Sequence, residues 1–245
     1  MVHSMTKTQK FESPIEQNRM VITKLLSGAG TVKRLNNVNW LRHEISYTEP
    51  RTLFYVPNKN QQPYLDYNSM KNIGDAYDYI IHNPKSPIDA TEVCRIHSMM
   101  CAGTKIHGGV FRSTPKVIEI TVNGQRMHAP EYHEIPSRLN EIIFNLNNTF
   151  DSAPIRAFKV HYELIMLQPF DDFNKRMARM VMNWVLIQGG YRPIVFNHPS
   201  DKQKYKDAIT AYANGNYKAY MSYMKSCMLR TQKEIIQVLT KSKIL

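Results

Sequence analysis

The chain has 245 residues, 42% hydrophobic and 21% charged, and a formal charge of +12 from 32 basic against 20 acidic side chains. That is the composition of an ordinary globular protein, long enough for one large domain, or one with a small appendage, whose core needs no disulfides. No apolar run approaches the roughly 18 to 20 residues of a membrane span and MVHSMTKTQK lacks the apolar core of a signal peptide, so no membrane partner and a cytoplasmic location are expected, unless a specialised secretion system exports the protein.

In chain order, Ser13 to Leu26 predicts a helix. Ser13 caps it, Pro14 suits the first turn, Ile15, Met20, Ile22, Leu25 and Leu26 form a partial apolar face, and Gly28 and Gly30 end it. From Thr31 to Tyr67, Pro50, Pro57 and Pro63 punctuate an irregular stretch of short strands or loops. Tyr67 to His82 is helical and Asn83-Pro84 stops it. Asp89 caps a helix running to about Met100, with Val93, Ile96, Met99 and Met100 inward. Gly108 and Gly109 open a turn, and Val117–Val122 followed by Asn123-Gly124 is the clearest strand-and-turn signal. Its alternation sets Val117, Glu119 and Thr121 against Ile118, Ile120 and Val122. Helices follow from Pro136 to Asn147, from Pro154 to Leu167 and from about Lys175 to Gln188, the last ended by Gly189-Gly190. Residues 201–238 make one or two more, broken near Asn214-Gly215-Asn216. The fold class is mainly α, a helical bundle with a β-hairpin as its exception.

The three cysteines, Cys94, Cys101 and Cys227, form no C-x-x-C pair, so neither a zinc site nor a redox pair is indicated and a reducing compartment is expected. The basic side chains are scattered rather than gathered in a tract, and no aromatic–basic motif accompanies them. Nucleic acid is therefore disfavoured as a partner.

The segment richest in chemistry is Gln168-Pro-Phe-Asp-Asp-Phe-Asn-Lys-Arg-Met-Ala-Arg179. Pro169 turns the chain out of one helix, and the N–H groups around Asn174 and Lys175 stand at the start of the next without intrahelical partners. Those donors and the positive helix end make an anion site. Arg176 and Arg179, three apart, share one helix face and suit a polyphosphate. Asp172 supplies the hard oxygen that a phosphate-bridged Mg²⁺ prefers. The bland alternative makes Asp172 an N-cap and the arginines solvated or surface-paired.

This loop resembles the signature of Fic-domain proteins of the Fido superfamily, H-P-F-x-(D/E)-(G/A)-N-(G/K)-R-x-x-R. Pro169, Phe170, Asp172, Asn174, Lys175, Arg176 and Arg179 fit it. Gln168 stands where the motif has His, and Phe173 where it has Gly or Ala. Ala157, His161 and the residues up to Leu167 are similar to the family's preceding helix, and Met180 to Leu186 with Gly189-Gly190-Tyr191 to its following one. Gly109-Val-Phe-Arg112 resembles its lead into a β-hairpin flap, and Tyr205 to Ile209 with Asn214 to Tyr217 its closing helices.

The resemblance implies a Fic-type helical bundle with a hairpin flap over residues 85–228. It also implies an N-terminal region, residues 1–84, with an inhibitory-type helix at 13–26, and a C-terminal helix or tail at 229–245. Family members usually transfer AMP from ATP to a protein hydroxyl, the motif His acting as base. Carried over, Asp172 binds Mg²⁺, while Asn174, Lys175, Arg176 and Arg179 hold the nucleotide. Val117, Ile118, Glu119, Ile120, Thr121 and Val122 pair with a target-protein segment. Glu12-Ser-Pro-Ile-Glu16-Gln-Asn18 resembles the family's inhibitory motif, with Glu16 as the candidate partner of Arg179, beside its plain reading as a first-turn glutamate.

Gln168 breaks the scheme, since an amide takes no proton near neutral pH and a lost base costs about 10²- to 10⁴-fold in rate. His161 lies about 10 Å back along the same helix and reads as a histidine satisfied within the bundle. The expectation is a nucleotide-binding adenylyltransferase relative, a pseudoenzyme or a weak enzyme, with ATP and Mg²⁺ as its cofactors. Two alternatives stay open. One is an active transferase with altered donor or chemistry, Lys175 being similar to the phosphoryl-transferring Doc branch. The other is a non-catalytic protein-interaction module.

Overall fold

A computed structural model of the chain describes residues 7–26, 63–194, 196 and 201–241. Among them stand helices α1 (Lys7–Leu26), α2 (Pro63–His82), α3 (Ala90–Cys101), α4 (Ile135–Asn147), α5 (Ala153–Leu167), α6 (Asn174–Gln188), α7 (Asp201–Ala213) and α8 (Tyr217–Lys241). Between α3 and α4 lies an antiparallel hairpin, β1 (Val117–Val122) and β2 (Gln125–His128), then a single 3-10 turn at Tyr132–Glu134. No described helix is long and apolar enough to cross a membrane.

α6 is the axis of the core. Met177, Ala178 and Met180 to Leu186 are all buried, and a helix apolar all round belongs inside. It packs along α5, whose Ala157, Phe158, Leu164 and Leu167 face it from the core. α2, α3 and α4 close one side, and Trp184 of α6 donates to the Asn83 carbonyl that ends α2. Asp89 caps α3 by accepting from the Glu92 N–H at 2.8 Å, as expected. In the hairpin, Ile118 and Ile120 turn inward while Val117 is 45% exposed. Asn123 and Gly124, at φ 50 and 79, make the two-residue turn that Asn-Gly favours. α7 packs against β1, and Asn214-Gly215-Asn216 separates α7 from α8.

Three boundaries differ from expectation. α1 begins at Lys7, so Pro14 lies inside it rather than at its first turn. Proline's φ is already helical, and the one rung it cannot give to Lys10 is tolerated where Ile15 and Ile22 are buried. α2 begins at Pro63, because a proline's missing N–H costs nothing at a first helical turn. By its sequence alone Pro63 reads as loop punctuation. α8 runs unbroken past Met228, in keeping with the helices expected over residues 201–238, so the expected division at 228/229 falls inside a helix that α1 packs against. Gln232 donates to the Ile15 carbonyl at 3.1 Å and accepts from Asn18. The expected helix ends at Gly28 and Gly30 and the punctuation at Pro50 and Pro57 lie outside the described residues.

Candidate functional site

The loop between α5 and α6 is built from its carbonyls outward. Arg112, 2% exposed, donates from Nε to the Gln168 carbonyl at 2.7 Å, from Nη1 to Thr114 and from Nη2 to Pro130, while its backbone N–H reaches the Pro169 carbonyl at 3.0 Å. Lys116 donates to the carbonyls of Phe170 and Asp171. His97 takes the next one. Gly109, at φ 77, presents its N–H to His97 Nδ1 at 2.9 Å, so the ring proton sits on Nε2 and is donated to the Asp172 carbonyl at 3.0 Å. Burial lowers the His97 pKa, which keeps the ring neutral. Phe170 stacks flat on it at 3.7 Å.

In a trans peptide the C=O and N–H point opposite ways. Turning the carbonyls of Phe170, Asp171 and Asp172 toward Lys116 and His97 therefore turns the following N–H groups to the other side. The Asp172 carboxylate lies on that side, where it accepts from the Phe173 N–H at 2.6 Å. This is also the N-terminus of a fifteen-residue helix, whose dipole favours an anion.

Phe173 sits in the left-handed region (φ 60, ψ 7). A residue without Cβ suits that place, which gives physical sense to the Gly or Ala of the resembled motif. Here the ring is 8% exposed, edge-on to His97, with the Arg176 guanidinium over its face at 4.2 Å. Arg179, one helical turn further, rests on Phe196 at 5.5 Å and Tyr205 at 5.2 Å. Both arginines are thus seated on aromatic faces, an arrangement that fixes a planar cation. Lys175 is exposed.

Gln168 caps α5 in a left-handed conformation (φ 46, ψ 59). It is 6% exposed, and its amide Nε2 donates back to the Ile165 carbonyl at 2.8 Å. Asn174, expected as a nucleotide ligand, braces the loop from within. It is 4% exposed and spends both ends on Phe170, with Oδ1 accepting the N–H at 2.9 Å and Nδ2 donating to the carbonyl at 2.6 Å. Its side chain shapes the loop. Glu16 is not on Arg179: its carboxylate takes Arg19 and the Tyr191 hydroxyl, which hold its pKa below the usual range. Tyr191 follows the far end of α6, roughly 14 Å along the axis from Arg179. Asp172 is exposed and, among the described residues, no group of three His, Cys, Asp or Glu could cage a metal. One open carboxylate fits a Mg²⁺ shared with phosphates and water, not a protein-only site.

Residues 87–186 match the model of the Fic/DOC family. Over these residues the chain carries a Fic/DOC domain. The chain is similar to the protein adenylyltransferase Fic of Culex quinquefasciatus, 26% identical over 171 residues covering 68% of this chain and 33% of that relative. The chain thus spans about a third of the length of such curated relatives. Among solved structures, a Fic-domain signalling protein from Bacteroides thetaiotaomicron superposes with a TM-score of 0.75 at 17% identity, over 93% of this chain and 97% of that one. A Fic domain of IbpA in complex with adenylylated Cdc42 gives 0.53 at 14% identity, over 93% and 72%. At these identities the structures bear on the fold alone.

Sequence reasoning missed His97 and the bracing roles of Arg112 and Lys116. A signal existed for His97, which interrupts the apolar face between Ile96 and Met100. His161, read as satisfied within the bundle, is fully buried between Tyr220 and Tyr205.

Proposed function

We propose that this Fic/DOC-domain protein binds ATP with Mg²⁺ at the start of α6 and transfers AMP weakly or not at all. One observation carries the reading: the arginine face of the loop is kept, while the base position holds a buried glutamine whose amide is spent on the Ile165 carbonyl. Arg176, Arg179 and the backbone N–H groups at the helix start would bind the phosphates. Asp172 would hold the metal, which when bound offsets phosphate charge. Nothing at Gln168 takes the proton of an incoming hydroxyl, so the chemical step lacks about 3 to 5 kcal/mol of assistance. β1 would hold a target-protein segment by strand pairing. The IbpA neighbour in complex with adenylylated Cdc42 supports a protein as target.

The test pairs calorimetry with labelling. ATP with Mg²⁺ is expected to bind the wild type and to bind Arg176→Ala at least about tenfold more weakly, the loss typical of a charge-assisted pair. Wild-type affinity no better than the variant's overturns the retained site. With labelled ATP and a cell lysate, Gln168→His is expected to mark proteins that the wild type leaves unmarked. Equal labelling by the wild type would instead favour an active transferase of altered chemistry.

A further inference from the structure

Behind Arg179 runs a chain of hydrogen bonds whose direction is set at both ends. At one end the guanidinium, which can only donate, lies against Tyr205, 5.2 Å from the ring centre and close to its hydroxyl. At the other end the Phe158 carbonyl, which can only accept, receives the Tyr220 hydroxyl at 2.8 Å. His161 bridges the two tyrosines, with Nδ1 2.8 Å from Tyr220 Oη and Nε2 2.8 Å from Tyr205 Oη. Tyr220 has given its proton to Phe158, so it accepts from His161 Nδ1–H. Nε2 then has only a lone pair to offer and accepts the Tyr205 proton. Tyr205 Oη, having donated inward, turns its own lone pairs to Arg179. Every member is used once in each available sense, from α6 through α7 and α5 to α8.

We infer that Tyr205 and His161 are positioning residues that hold the Arg179 guanidinium for the distal phosphates of a nucleotide. The inference rests on the reading of Arg179 as a phosphate ligand. The relay works in one protonation state only. A proton on Nε2 would meet the Tyr205 oxygen, force its O–H toward the guanidinium and set donor against donor. Burial, with Arg179 nearby, pushes His161 down to about 3, so the neutral ring is kept. Phe196 supports the guanidinium from the side.

The experiment measures binding of ATP and of AMP, each with Mg²⁺, to the full chain by calorimetry. Tyr205→Phe removes one hydroxyl and keeps the ring under Arg179. It is expected to weaken ATP by about tenfold, the loss of one hydrogen bond to a charged group, and to leave AMP unchanged, because AMP lacks the distal phosphates. In an Arg179→Ala background the same change should cost nothing more. His161→Gln, which still offers one acceptor and one donor, should retain more ATP affinity than His161→Leu. If Arg179→Ala loses ATP and Tyr205→Phe does not, the relay is overturned while the phosphate site stands. Equal weakening of ATP and AMP by Tyr205→Phe overturns it as well, since that is the mark of general packing. A wild type that binds no ATP overturns the functional reading and the relay's task with it. Should the His161 variants fail to fold, Tyr205→Phe decides, together with the ring nitrogen shifts of His161 by NMR. These are expected to report Nδ1–H, and an Nε2–H tautomer would reverse the chain and overturn the inference.

Discussion

Phe173 combines two opposed terms at one residue. Its left-handed backbone costs a residue with Cβ about 1–2 kcal/mol, while its ring is buried between His97 and the Arg176 guanidinium. Phe173→Ala loses the ring and keeps the strain, and is expected to destabilise by about 3 kcal/mol or more. Phe173→Gly loses the ring but relieves the strain, and should be about 1 kcal/mol more stable than the alanine variant. Urea denaturation measures both; an alanine variant at least as stable as the glycine one would show that the strain is not felt. His161 gives a pH-dependent counterpart. Its folded value of about 3 lies below its ordinary 6.5, so between those values the unfolded chain binds a proton that the folded one refuses. Stability therefore falls as pH drops from about 6.5 to about 3, by up to about 1.4 kcal/mol per unit, and this contribution levels off below. Comparing urea midpoints at pH 7 and pH 5 should show a larger loss for wild type than for His161→Gln. The missing base was legible at this scale, because an amide's chemistry does not depend on where it points. The task of Asn174 was not, because one side chain can serve a ligand or its own loop, and only the contact with Phe170 decides.

Among the elements, the helices were legible wherever an apolar period met a cap or a stop. Asp89, Asn83-Pro84 and Asn214-Gly215-Asn216 all mark observed ends. Proline was the weak sign. The same residue starts α2 at Pro63 and sits within α1 at Pro14, because its fixed φ suits both places and only the chain before it decides. The site loop also depends on elements far from it in sequence. Three backbone carbonyls converge on the Arg112 side chain, and its loss leaves all three without that donor, the Gln168 carbonyl in buried surroundings. Arg112→Met is expected to destabilise by about 3 kcal/mol or more and to loosen the loop enough to weaken ATP binding. α1 makes the contrary case. Glu16 faces Arg19 and Tyr191 at the far end of α6, so Glu16→Gln should leave ATP affinity unchanged. Its stability cost should stay below about 1 kcal/mol, as for an exposed pair. A gain of ATP affinity in that variant would mean that α1 restrains the site after all.

At the scale of the whole molecule, the joining of the two chain ends was beyond sequence reading. No local pattern announces that Ile15 of α1 will bury against a helix more than two hundred residues later, and the side-chain and backbone bonds of Gln232 to Asn18 and Ile15 exist only in the assembled fold. A boundary at Met228, reasonable from the extent of the motif resemblance, cuts α8 in half. The lost half carries Thr231, Gln232 and Leu239, all buried. A chain ending at Met228 would leave Ile15 and Ile22 facing water. Each buried aliphatic side chain contributes about 1.5–3 kcal/mol, and the net stability of a domain is only about 5–15 kcal/mol. The truncated chain is therefore expected to lose most of its stability, with a melting temperature well below the full chain's and rapid proteolysis within α1. A truncated chain that melts cooperatively at the full-length temperature would show that α1 and the second half of α8 lie on the domain without supporting it. Equal ATP affinity in the two would further place the whole phosphate site within residues 1–228.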